Sequence, residues 1–137
     1  MKKVGLMMVF LLFLSCATTG PGGKRSLILI STNEEISIGQ KMAAQVESEE
    51  KVLPDPEVQD YVNGVGQRIA HVSDRKDLPF HFRVLDSKEI NAFATPGGYI
   101  YVYSGLLKIL DDEAELAGVL SHETSHVVAR HGVKKLQ

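Results

Sequence analysis

His122-Glu123-Thr124-Ser125-His126 is the stretch that most narrows what this chain can fold into, because its chemistry requires the five residues to lie on one stretch of helix. At about 100° per residue, histidines four apart lie about 40° apart around the axis, so both imidazoles can turn toward one ion at about 2.0–2.1 Å. Glu123 sits about 60° beyond His126, on the flank of that face. From there its carboxylate can reach a water carried by the ion without binding the metal itself. The set suits zinc-assisted hydrolysis of a peptide bond. The metal lowers the pKa of water to about 7 and polarises a carbonyl, and a carboxylate takes the proton and passes it to the leaving amine. His122 and His126 are thus the candidate metal ligands for one Zn2+ per chain, and Glu123 the candidate catalytic base.

The surroundings supply the helix. Asp112 and Glu115 have capping-box spacing, which predicts a helix over residues 113–131. Leu116, Leu120 and Val127 fall in a sector about 120–160° from His122, so the histidines border an apolar stripe, as side chains lining a cleft do. Surface histidines that touch nothing would lie opposite it. Gly132 suits the left-handed position past the helix end. On a continuous helix His131 points about 180° away from His122 and reads as a packing residue or a partner of the C-terminal dipole. It does not continue the metal motif, because Ala129 stands where zincins with a third histidine place a turning glycine.

Two histidines and a water leave zinc one protein ligand short of a usual catalytic site. No Asp or Glu follows Glu123. Upstream, His71, His81, Asp86 and Glu89 are available, and spacing singles out none of them. The expectation is that the chain stops before its third ligand.

The rest of the sequence reads as an α+β domain: two N-terminal helices, a small sheet and the motif helix lining a cleft. Thr32 and Glu35 have capping-box spacing, and Ile38, Met42 and Val46 recur every four residues, predicting a helix over 33–52 that Pro54 ends. Asp55 with Pro56 opens a second, in which Val58, Val62, Val65 and Ile69 keep helical spacing to about residue 72, weakened by Gly64 and Gly66. Strict alternation over residues 80–84 predicts a half-buried strand. A second strand, Tyr99 to Tyr103, follows Pro96-Gly97-Gly98. It reads either as an edge strand that pairs with an extended substrate backbone or as an internal strand with a tyrosine face. Ser104 is placed to cap a short helix carrying Leu106, Leu107, Ile109 and Leu110. The apolar run 27–30 fits a strand or a packed segment equally.

At the other end, Met1-Lys2-Lys3 followed by an apolar run over residues 4–14 forms a basic and then a hydrophobic region, too short to span a bilayer, which takes about 20 apolar residues. Phe13-Leu14-Ser15-Cys16 resembles a bacterial lipobox, with Phe13 and Leu14 departing from its usual residues. An ordinary signal cleavage site over Ser15-Cys16-Ala17 is the alternative. Cys16 is the only cysteine and the candidate lipidation site; with no second one, no internal disulfide can form. Residues 1–15 are read as a signal peptide, 16–26 as a flexible Gly-rich tether and 27–137 as the N-terminal part of a peptidase domain. Loss of Lys2 and Lys3 with the signal deepens the acidic balance of the chain, whose net charge is already −2, and nothing points to nucleic acid. At 137 residues with 44% hydrophobic and 23% charged side chains, one globular core is the most the chain builds.

Taken together, Glu34-Glu35 with Gly39, residues 82–86, residues 91–100, Ser104-Gly105-Leu106 and residues 113–120 running into His122 to His131 resemble the CAAX-prenyl-protease-type zinc metallopeptidases, in their bacterial envelope branch. The resemblance implies a gluzincin-type fold, zinc on His122 and His126 and a catalytic role for Glu123. It also implies a third zinc ligand, a glutamate on a later helix that no residue of this chain matches. Polypeptide substrates, misfolded envelope proteins among them, are implied too. With Cys16 lipidated and Ala17 carrying no retention signal, the expected location is the outer membrane, facing the periplasm. The rival reading is a catalytically incomplete lipoprotein that binds peptides without cleaving them. A third is a fragment whose motif helix leaves Leu116, Leu120 and Val127 bare.

Overall fold

The computed structural model describes residues 28–137; the signal segment 1–15, Cys16 and the tether 16–26 lie outside the described residues. The first helix, α1 (Thr32–Glu49), opens at Ser31 and not at Thr32. Two overlapping capping-box spacings compete, Ser31 with Glu34 and Thr32 with Glu35, and the chain uses the first. The Glu34 N–H donates to Ser31 Oγ at 3.3 Å and the Ser31 N–H donates to the Glu34 carboxylate at 2.8 Å. Glu35 is thereby released to face inward. Its companions on that face are Gly39 and Ala43, whereas Ile38, Met42 and Val46 are only half-buried. Small residues are required there because α1 descends onto backbone: a Cβ on Gly39 would lie 2.3 Å from the Pro96 carbonyl oxygen. The helix ends at Glu49, short of the predicted residue 52, and Val52 instead bridges to Leu85.

The second helix, α2 (Pro56–Val72), begins as its sequence predicts, with Asp55 Oδ1 accepting from the Val58 N–H at 3.2 Å and Pro56 in the first turn. Gly66, a poor helix former, stands where α2 meets the sheet, and a Cβ there would lie 2.3 Å from the Phe82 ring.

Three strands follow: β1 (His81–Leu85), β2 (Ala92–Thr95) and β3 (Tyr99–Tyr103). Their order is β1-β3-β2, with β3 parallel to β1 and antiparallel to β2. The edge-strand reading of Tyr99–Tyr103 is therefore wrong: the outer strands are β1 and β2, the second of which the sequence did not announce. Gly97 and Gly98, at φ 83° and 89°, make the turn between β2 and β3 in a region that side chains avoid. On the far side β1 is partly covered, because the Gln59 amide bonds both the N–H and the carbonyl of Val84 and the Leu53 N–H donates to the same carbonyl. Among the described residues, the outer edge of β2 has no strand beside it.

One face of the sheet, with Phe82, Val84, Ile100 and Val102, packs against α2 through Val62, Val65 and Ala70. The same core takes in Leu116, Leu120 and Val127 from the motif helix α4 (Glu113–Val128). These three are 4%, 0% and 4% exposed, so the expectation of a bare apolar stripe is overturned: α2 and the sheet cover it. The opposite face gathers Leu85, Tyr101 and Tyr103 with Val46, Val52 and Phe93. There the Tyr101 hydroxyl donates to Glu47 at 3.3 Å, and burial first, then that carboxylate, push its pKa far up.

Between sheet and motif helix runs the one-turn α3 (Ser104–Leu107), whose N-cap is Tyr103. Ser104 does not cap it; its hydroxyl accepts from the Ser87 N–H and donates to the Ser87 carbonyl, at 3.2 and 3.0 Å. A last turn, α5 (His131–Lys134), follows α4. No helix among the described residues is long and apolar enough to cross a membrane.

A buried charge cluster ties the two ends of the described chain together. Glu35, 1% exposed, accepts from Arg75 at 3.1 Å and from Arg130 at 2.9 Å. Arg130 also donates to the Ile30 carbonyl at 2.6 Å, and Arg75 to Asp77 at 2.8 Å. The Arg75 guanidinium, helped by the Thr32 hydroxyl and opposed by partial burial, holds the Asp77 carboxyl down at about 2.

Candidate metal centre

The motif helix starts where its sequence says. Asp112 Oδ1 accepts from the Glu115 N–H at 2.9 Å. The Glu115 carboxylate returns to the N–H of Asp111 at 2.9 Å, one residue earlier than a capping box requires. With the apolar stripe pinned in the core, His122 is left exposed and His126 and Glu123 half-buried along the rim. The His122 and His126 rings stand at 89° with centroids 4.7 Å apart, and their Nε2 atoms approach to 3.1 Å. Two nitrogens bound to one ion at about 2.0–2.1 Å and a tetrahedral angle lie about 3.3 Å apart. The pair therefore fits a zinc ion with only a slight opening of the rings.

Glu123 lies on the flank of the pair. Burial raises its pKa above the usual carboxylate value, while the charges of His126 and then His122 pull it back. A carboxyl raised in this way is a better proton acceptor near neutral pH. Thr124 is buried on the core side, and its hydroxyl has no hydrogen-bond partner among the described residues. Ser125 donates to the His122 carbonyl at 2.6 Å, so neither residue between Glu123 and His126 competes for the face where the imidazoles meet.

The helix does not run to residue 131 as predicted. It stops at Val128, and the left-handed residue is Arg130 (φ 55°, ψ 36°), not Gly132. Gly132 serves another purpose, lying against Pro96, where a Cβ would come within 3.0 Å of Cγ. The break overturns the placement of His131. Instead of pointing away, it turns back so that its Nδ1 lies 2.7 Å from His126 Nδ1. Burial first, then the neighbouring His126, Lys134 and Lys135, lower its pKa. The other histidines and acids stay apart. His71 is exposed at the end of α2, His81 stacks on Tyr99 at 4.4 Å, Asp86 pairs with Lys51 and Glu89 is exposed. No group of three or more His, Cys, Asp or Glu side chains able to hold a metal occurs among the described residues.

Pro96, Thr95 and Ala94, at the end of β2, border a small recess of about 20 Å³ with His126 and Arg130. The open strand thus ends beside the candidate centre. A roomier groove of about 420 Å³ lies at the far end of α4, lined by Tyr61, Leu107, Leu110 and Leu116, and none of the motif residues reaches it.

This arrangement has relatives. The chain is 34% identical over 108 residues to the beta-barrel assembly-enhancing protease of Yersinia pestis, covering 79% of this chain and 22% of that protein. It is 33% identical to the protein of that name in Escherichia coli K12, with the same coverage. With the mitochondrial metalloendopeptidase OMA1 of Schizosaccharomyces pombe the identity is 43% over 76 residues, 56% of this chain and 23% of that one. The chain thus spans about a fifth of the length of these curated relatives. The model of peptidase family M48 matches residues 56–137, a stretch that holds α2, the sheet and the whole motif helix. By that match, which takes in more than half of its residues, the chain belongs to peptidase family M48.

Proposed function

We infer that this chain is part of a zinc metalloendopeptidase, in which His122 and His126 hold the metal and Glu123 is the base. The observation that carries the reading is the convergence of the two Nε2 atoms at 3.1 Å beside a half-buried carboxyl of raised pKa. His122 and His126 would hold a zinc ion that, when bound, would supply Lewis acidity to a carbonyl and lower the pKa of water to about 7. Glu123 accepts the proton of the attacking water and hands it to the departing amine. The backbone of β2 offers an extended peptide a ladder of hydrogen bonds that ends beside His126. β2, and not Tyr99–Tyr103, is thus the strand offered to an extended peptide. The metalloendopeptidase and protease names of the relatives support the same activity on polypeptides.

Chelation should abolish cleavage of an unfolded protein substrate, and one equivalent of zinc should restore it. Cleavage that survives full removal of the metal rejects the reading.

The remaining assignments follow from the N-terminal sequence: a signal peptide over residues 1–15, a lipid on Cys16, a tether over 16–26 and a peptidase portion from residue 27 onward. The lipid would anchor the domain at a bacterial envelope membrane, Ala17 without a retention signal supports the outer one facing the periplasm, and the family resemblance implies misfolded envelope proteins as substrates. Cys16→Ser should lose incorporation of labelled palmitate in cells, and a variant that keeps the label refutes the anchor.

A further inference from the structure

We propose that His131 is a positioning residue for His126, accepting the hydrogen bond that fixes His126 in the tautomer able to bind zinc. The proposal rests on the zinc reading of His122 and His126. A neutral imidazole carries its proton on one nitrogen and a lone pair on the other. For both Nε2 atoms that meet at 3.1 Å to turn lone pairs on one ion, both rings must carry their protons on Nδ1. A ligating histidine usually gives that proton to a carboxylate, a carbonyl or a water. Here the atom facing His126 Nδ1 is Nδ1 of His131, at 2.7 Å, with ring centroids 5.0 Å apart. His126 therefore donates and His131 accepts, and the remaining proton of His131 sits on its Nε2. His126 is thus held through its Nδ1, leaving the lone pair of its Nε2 turned toward His122.

The position of His131 is built by the fold. Arg130, in the left-handed region, breaks the motif helix, and its guanidinium is held by the Glu35 carboxylate and the Ile30 carbonyl. On the other side Gly132 rests against Pro96 and Val133 is 1% exposed in the interior. His131, though itself exposed, stands between two anchored neighbours.

The test uses the full chain and two readouts. Long-range proton–nitrogen NMR of the metal-free protein reports which nitrogen of His126 is protonated, and competition with a chromogenic chelator gives the zinc dissociation constant. In the unmodified chain His126 should carry its proton on Nδ1. In His131→Ala that preference should be lost and zinc binding should weaken about 10–100-fold. His131→Asn, whose Oδ1 falls near the place of Nδ1, should restore the tautomer and most of the affinity. A merely structural role would lower the melting temperature and leave the tautomer alone. The proposal is overturned if His126 keeps its Nδ1 proton in His131→Ala, or if the Asn variant binds zinc as weakly as the Ala variant. A chain that takes up no zinc defeats the metal reading, and the tautomer still decides the partnership of His126 and His131.

Discussion

Replacing Glu123 by Gln lowers peptide cleavage by about 10²–10⁴-fold, the usual worth of a positioned proton acceptor, and leaves zinc content unchanged. The amide has the shape of the carboxylate but cannot take a proton from water or return one to an amine. Glu123 is half-buried, so a substitution that keeps its volume is needed to separate chemistry from packing. His122 and His126 still meet through their Nε2 atoms without help from Glu123, which is why metal binding survives. Cleavage rate and zinc stoichiometry, measured on the same preparations, check the result. Equal rates for the two proteins would exclude Glu123 as the base.

Replacing Glu35 by Gln destabilises the fold by about 3–5 kcal/mol, because removing the shared carboxylate leaves the buried Arg130 guanidinium without a counter-charge and Arg75 with Asp77 alone. Arg75 and Arg130 are 6% and 8% exposed. Arg75 retains Asp77, and Arg130 retains the Ile30 carbonyl, which holds the loss toward the lower end of that range. Against a total stability of about 5–15 kcal/mol for a domain, the change is large. Denaturant unfolding reads it as a lower midpoint at constant slope. A loss below about 1 kcal/mol, the level of an exposed ion pair, would show that the cluster is not desolvated in solution.

Where local chemistry decides structure, the sequence is legible. Asp55 with Pro56 and Asp112 with Glu115 open α2 and α4 where their spacing says, and the stripe of Leu116, Leu120 and Val127 is buried as its period requires. Where two local solutions tie, it is not. Ser31 with Glu34 and Thr32 with Glu35 satisfy the same rule, and the choice is made by the distant guanidiniums that draw Glu35 inward. β2 is hidden for a related reason. Its four half-buried or buried residues have no alternation to display, and its extended form comes from pairing with β3. The candidate site divides the same way: the paired imidazoles follow from a spacing of four, but His131 depends on a helix break at an arginine. A non-glycine residue in the left-handed region costs about 1–2 kcal/mol. Arg130 meets that cost through partners at the opposite end of the described chain, which no window around the motif can reveal.

That latch also sets the path of mechanical load. Tension applied ahead of Ile30 would reach the guanidinium of Arg130 through the Ile30 carbonyl and the Glu35 carboxylate. One residue further along, that force arrives at the imidazole seated against His126. A tug at the leading end is thus felt at the rim where the paired rings meet, without crossing the hydrophobic interior.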